Sequence, residues 1–181
     1  MKLDLKKLSA DFKLSDDLKG NKSSLLKAAT QRLEELKAIG LEPASATCLL
    51  TAILTSSVVA RILKLLTGRS EASLRQASVF RIVDVQGEWA MCQSLLDAIA
   101  EDPSRQRGDQ FSAALISCEV LLEKSISLCM FLQLMEPEVV EKLQNATKSL
   151  QTVAEINRKL IAVFDSNSLV TESVAAHLGI K

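Results

Sequence analysis

The chain of 181 residues carries 22 basic and 22 acidic side chains, so it is electrically neutral overall. It shows no basic stripe with interleaved aromatics, which argues against a nucleic-acid partner. Hydrophobic residues make up 48% and aromatics only 3%, with three prolines. That balance favours packed helices over sheet and leaves ample chain for one core.

In chain order, residues 1–20 read as a separate N-terminal segment, and residues 21–181 as a single helical-bundle domain. The segment is charged throughout and lacks the apolar core of a signal peptide. A helix is predicted over 23–39, with Leu25, Ala29, Leu33 and Leu36 on one face and Gly40 as its stop. The short link to Pro43 lays this helix beside the next.

That next stretch, PASATCLLTAILTSSVVARILKLLTGR, runs from Pro43 to Arg69 and has only Arg61 and Lys64 as charges before its last residue. Leu50, Ile53, Leu54, Val58, Ile62, Leu65 and Leu66 recur at helical spacing. Small residues, among them Ala52, Thr55, Ser56 and Ala60, lie on another side, which suits neighbours that approach closely. Pro43 fits a helix start and Gly68 the position past its end. The expected fold is therefore all-α: a multi-helix orthogonal or up-down bundle around a central buried helix at about 44–67. The uncharged part, Ala44 to Ala60, is 17 residues long and rich in Ser and Thr. It sits at the lower limit of membrane-spanning length, so a core helix and no membrane partner are expected.

Ser70 is placed to cap a third helix, with Glu71 in its first turn. Leu74, Ala77, Phe80, Ile82, Val83 and Val85 follow, and the β-branched run meeting Gly87 predicts a break or kink. Apolar residues resume from Trp89 to Ile99, and Glu101 to Ser104 ends the segment. Beyond a charged corner at 105–109, a fourth helix is marked by Phe111, Leu115, Cys118, Leu122, Ile126, Cys129 and Met130. Pro137 opens a fifth, with Val140, Leu143, Ala146, Leu150, Val153, Ile156, Leu160 and Phe164 in one stripe. A polar turn at 165–168 precedes a last short helix ending near Leu178.

Few residues point to chemistry. Cys48, Cys92, Cys118 and Cys129 each fall in an apolar helical pattern without a close second cysteine. They read as reduced core thiols of a cytoplasmic protein, with no metal site. The only histidine, His177, lies near the end of the sequence, where a solvated surface role is the commoner one. No Glu-x-x-His pair and no glycine-rich phosphate loop occur. Asp84, inside an apolar run, reads either as a buried or pocket-lining carboxylate or as an exposed residue on a helix edge.

The segment Pro43-Ala44-Ser45-Ala46-Thr47, continuing to Leu66-Thr67-Gly68-Arg69, resembles the start of the formiminotetrahydrofolate cyclodeaminase and methenyltetrahydrofolate cyclohydrolase family. Members open with Pro-Gly-Gly-Gly-Ser, a small-residue helix and an end like Leu-Thr-x-Gly-Lys/Arg. Leu95 to Asp102 is similar to the family's Leu-Leu-x-Leu-Ala-x-Glu-Asp, and Ser173-Val174-Ala175-Ala176 to its tail segment. The resemblance implies a cleft at Ala44, Ser45, Ala46 and Thr47 for a folate derivative. It also implies acid–base residues among Asp84, Asp165 and Glu172, Arg61 or Arg69 holding the ligand's glutamate tail, no other cofactor, and a homodimer. The chain departs from the pattern where it matters for a ligand. Ala44, Ser45 and Ala46 replace the three glycines, adding a Cβ at each, and Thr171 stands at the tail aspartate. The competing reading, from the surplus of long apolar stripes, is a non-catalytic helical module for dimerisation or partner docking.

Overall fold

The computed structural model describes residues 22–67, 76–103 and 108–165. They form an all-α bundle of five long helices: α1 (Lys22–Ala38), α2 (Pro43–Thr67), α3 (Gln76–Glu101), α4 (Gly108–Met135) and α5 (Val140–Asp165). A single 3₁₀ turn, Pro137–Val139, leads into α5. The N-terminal segment, the Ser70 cap and the short helix expected near Leu178 lie outside the described residues.

The central placement of α2 follows from its side chains. It packs against each of the other four helices, while α4 makes its most extensive contacts with α3 and α5. Ala46, Leu49, Ala52, Val58, Val59 and Ile62 are shut off from solvent altogether. Thr51 and Thr55 are equally buried yet satisfied, because their hydroxyls donate to the carbonyls of Thr47 and Thr51, at 3.0 and 2.9 Å. Small residues admit close neighbours, and threonines bonded back to their own helix bring no unpaired polar group into the core. Ser45–Leu66 is long and apolar enough to cross a membrane, and 72% of its most apolar window is buried against the rest of the protein. Ala60, grouped in the sequence with the buried small residues, is instead half-exposed.

The link between α1 and α2 is set by Gly40 at φ +89°. Its N–H donates to the Lys37 carbonyl at 2.9 Å, and that of Leu41 reaches back to Leu36 at 3.4 Å. This is the Schellman arrangement, completed by Leu41 turning in against the core. Of the break or kink expected at Gly87, the break does not occur, since α3 continues as one helix through it. Gly87 is exposed, and nothing stands within 4 Å of where its Cβ would be. Opposite effects of one substitution are therefore expected. Gly40→Ala should cost about 1–2 kcal/mol through its left-handed backbone, whereas Gly87→Ala should gain about 0.5–1 kcal/mol. Urea midpoints of the two variants would show it.

Candidate functional site

The residues singled out from the sequence are spread over separate parts of the fold. Ala44 and Ser45 lie in the first turn of α2, and Ser45 is half-buried. Ala46 and Thr47 follow at 0% and 2% exposure, inside the core. Arg61 is half-exposed nearer the other end of the same helix. Asp165 is the last residue of α5, while Arg69 and Glu172 fall outside the described residues. Asp84 lies on α3 with 57% of its side-chain surface open to solvent, so of the alternatives read from the sequence it is the exposed helix-edge residue and not a buried carboxylate. Its position among β-branched neighbours misleads because Val83 beside it is also exposed, while Ile82 and Val85 turn inward.

Asp84 nonetheless belongs to a feature of the surface. Lys124 of α4 reaches across to α3 and places its Nζ 2.8 Å from Asp84 Oδ1 and 2.7 Å from Glu88 Oε1. The two carboxylates, Asp84 foremost, hold the lysine above its ordinary pKa range. A groove of about 400 Å³ runs here between α3 and α4, and none of Ser45, Ala46, Thr47 or Arg61 lines it. At Arg81, Glu123 and Ser127 it continues into a second, more apolar groove of about 650 Å³. Arg81 bridges the two, its guanidinium 4.3 Å over the Phe131 ring and 3.5 Å from Ser127 Oγ. Stacking of this kind fixes a long side chain that would otherwise be mobile.

The second groove opens onto the outer face of α4. That helix buries Ala114, Cys118, Leu121, Ser125, Leu128 and Leu132 on its inner side. On the opposite side Ile116, Met130 and Leu134 stand 62%, 56% and 82% exposed. Met130, one of the apolar residues that mark this helix in the sequence, belongs to this outer face. Sequence periodicity missed the second stripe because apolar residues on both sides of α4 cancel its amphipathic signal. A clue was present in steps of three and four residues from Ile116 to Leu134, the spacing of a coiled-coil seam.

The core holds a different kind of chemistry, and it is quiet. All four cysteines are buried and unbridged. Cys118 Sγ lies 3.0 Å from Thr55 Oγ1. The threonine hydroxyl donates to the Thr51 carbonyl, and the thiol lies 3.7 Å from that same carbonyl oxygen. Burial pushes Cys48 and Cys129 up to about 12 and Cys92 to about 11, and raises Cys118 as well. Thiols so held are packing groups rather than nucleophiles. Among the described residues no cluster of three or more His, Cys, Asp or Glu could hold a metal ion.

Among the described residues, fold and surface define an all-α bundle with an exposed seam on α4 beside a charged groove. Comparison with protein families, with curated proteins and with solved structures finds no match for this chain.

Proposed function

We propose that the chain is a non-catalytic helical-bundle module that associates with a second copy of itself through the outer face of α4. The observation that carries this reading is the exposure of Ile116, Met130 and Leu134 on the side of α4 opposite its buried face. Large apolar side chains left exposed on the outward side of a packed helix mark contact sites. The four unbridged, buried cysteines support a reducing, cytoplasmic setting for it. Light scattering at micromolar concentration is expected to give twice the mass of the 19.7 kDa chain. Leu134→Lys should return it to one chain while shifting stability by less than about 0.5 kcal/mol, as at other exposed positions. A wild-type mass of one chain throughout the micromolar range would overturn the reading.

A second reading is a folate-like ligand site, as the resemblance implies. Its support is the groove where Arg81 and Lys124 accompany the carboxylates of Asp84 and Glu123, opposite charges in one cavity. The burial of Ala46 and Thr47 counts against a cleft at the start of α2. Calorimetric titration with a methenyl-tetrahydrofolate separates the two readings. Saturable heat supports the ligand site, and its absence removes it.

A further inference from the structure

We infer that two copies of α4 pack antiparallel across a two-fold axis level with Ser125, so that Ile116 meets the partner's Leu134, Val120 the partner's Met130, and Glu123 the partner's Ser127. This register rests on the self-association proposed above and adds to it the orientation, the pairing and the charged contact at its centre.

The argument starts from spacing. Ile116, Val120, Glu123, Ser127, Met130 and Leu134 follow alternate steps of four and three along an unbroken helix. Ile116 and Leu134 are separated by about five turns at ~3.6 residues per turn, so they share one line along the helix. The seam they bound is about 27 Å long at ~1.5 Å per residue. Its apolar members lie at the two ends and its polar members, Glu123 and Ser127, in the middle. Turning such a seam end for end superposes apolar on apolar and polar on polar, which is what an isologous contact requires. A parallel pairing would instead set Glu123 against its own copy, a like-charge contact in the centre of the seam.

Charge selects the same arrangement. Arg81 of α3 lies against Ser127, held by its hydroxyl and by the Phe131 ring. Among the described residues neither Arg81 nor Glu123 forms an ion pair. In the antiparallel register each Glu123 arrives opposite the partner's Ser127, and therefore beside the partner's Arg81. Two carboxylates and two guanidinium groups then surround the axis as a self-complementary set. Ile126, half-buried at the groove's edge, comes beside its own copy on one flank of the axis. On the other flank, Lys124 is already neutralised by Asp84 and Glu88.

Disulfide trapping reads the register directly, because the native thiols are buried and do not compete. Ile116→Cys and Leu134→Cys are made as separate full-length variants and mixed under mild oxidation. The mixed pair is expected to cross-link about 10³-fold faster than either variant alone, since association raises the effective thiol concentration from micromolar to millimolar. Within one antiparallel dimer, two copies of residue 116 lie about 27 Å apart along the axis, beyond disulfide reach. Cross-linking of each variant with itself would mean a parallel seam and overturn the inference. So would a dimer by light scattering with no cross-link in any sample, which would put the interface elsewhere while leaving self-association intact. A charge exchange gives an independent reading: Arg81→Glu and Glu123→Arg should each shift the mass toward one chain, and the double variant should restore the dimer. Failure of that rescue would remove the charged centre and the register with it.

Discussion

Leu54→Ala is expected to lower the unfolding free energy by about 2–5 kcal/mol, the range for deleting a fully buried leucine side chain. Leu54 is 1% exposed, in the helix that touches every other helix of the bundle. The lost atoms forfeit their transfer free energy, and the hole they leave cannot collapse, because α2 is enclosed by elements packed in turn against one another. A domain's whole stability is about 5–15 kcal/mol, so a fall at the upper end would leave the protein barely folded. The same helix tells its two small residues apart. Ala52, fully buried, should resist enlargement to leucine at a cost of about 1–3 kcal/mol, while half-exposed Ala60 should accept it. Denaturant midpoints measure all three, and an unchanged midpoint for Leu54→Ala would remove α2 from the centre.

Near neutral pH the native protein is expected to be all but inert to thiol reagents, with Cys48, Cys118 and Cys129 labelled only after denaturant is added. For a thiol raised from 9.0 to about 12, as at Cys48 and Cys129, the reactive thiolate is about 10³-fold scarcer, and burial blocks the reagent besides. Rapid labelling of native protein would contradict the buried assignment. The same shift links folding to pH. The folded-state pKa values lie above the unfolded value, so the native state holds its protons where the unfolded chain releases them. The stabilisation is complete below about pH 9, declines above it, and is lost as pH rises through 11 to 12. Each unit of upward shift corresponds to about 1.4 kcal/mol, so the loss over that interval is on the order of several kcal/mol. Replacing Cys129 by Ala should flatten the alkaline limb of the stability curve.

The elements that were legible in the sequence are those whose signal is local. Pro43 and Gly40 mark boundaries, and Gly40 acts through a left-handed backbone that few other residues adopt comfortably, while Gly68 lies outside the described residues. The stripe of α5 was plain because polar residues occupy its other sides. A helix's neighbours cannot be seen in its own periodicity, which hides two features of the fold. Gly87 reads as a break or kink, yet α3 runs through it as one helix packed against α2 and α4, and tertiary packing outweighs the roughly 1 kcal/mol that one glycine costs a helix. Met130 stands in one apolar pattern with the buried residues of α4, because that helix carries apolar residues on two sides, and only the packed bundle shows which side is spent. The groove at Asp84 was illegible beyond that residue. Lys124 lies forty positions further on, and nothing in the chain announces that the two meet.

The chain contains one tryptophan and no tyrosine. Trp89 is half-buried on α3, and its indole N–H donates to Ser56 Oγ of α2 at 3.0 Å, while the Ser56 hydroxyl passes its own proton to Gln93 at 3.1 Å. Near-ultraviolet emission therefore comes from a single ring that touches the innermost helix. Far-ultraviolet dichroism counts helical turns wherever they are, whereas this fluorophore responds to the local surroundings of the α3–α2 contact. The molecule carries its own optical gauge of that one seam, and comparing the two signals during unfolding tells docking of the bundle apart from survival of its helices.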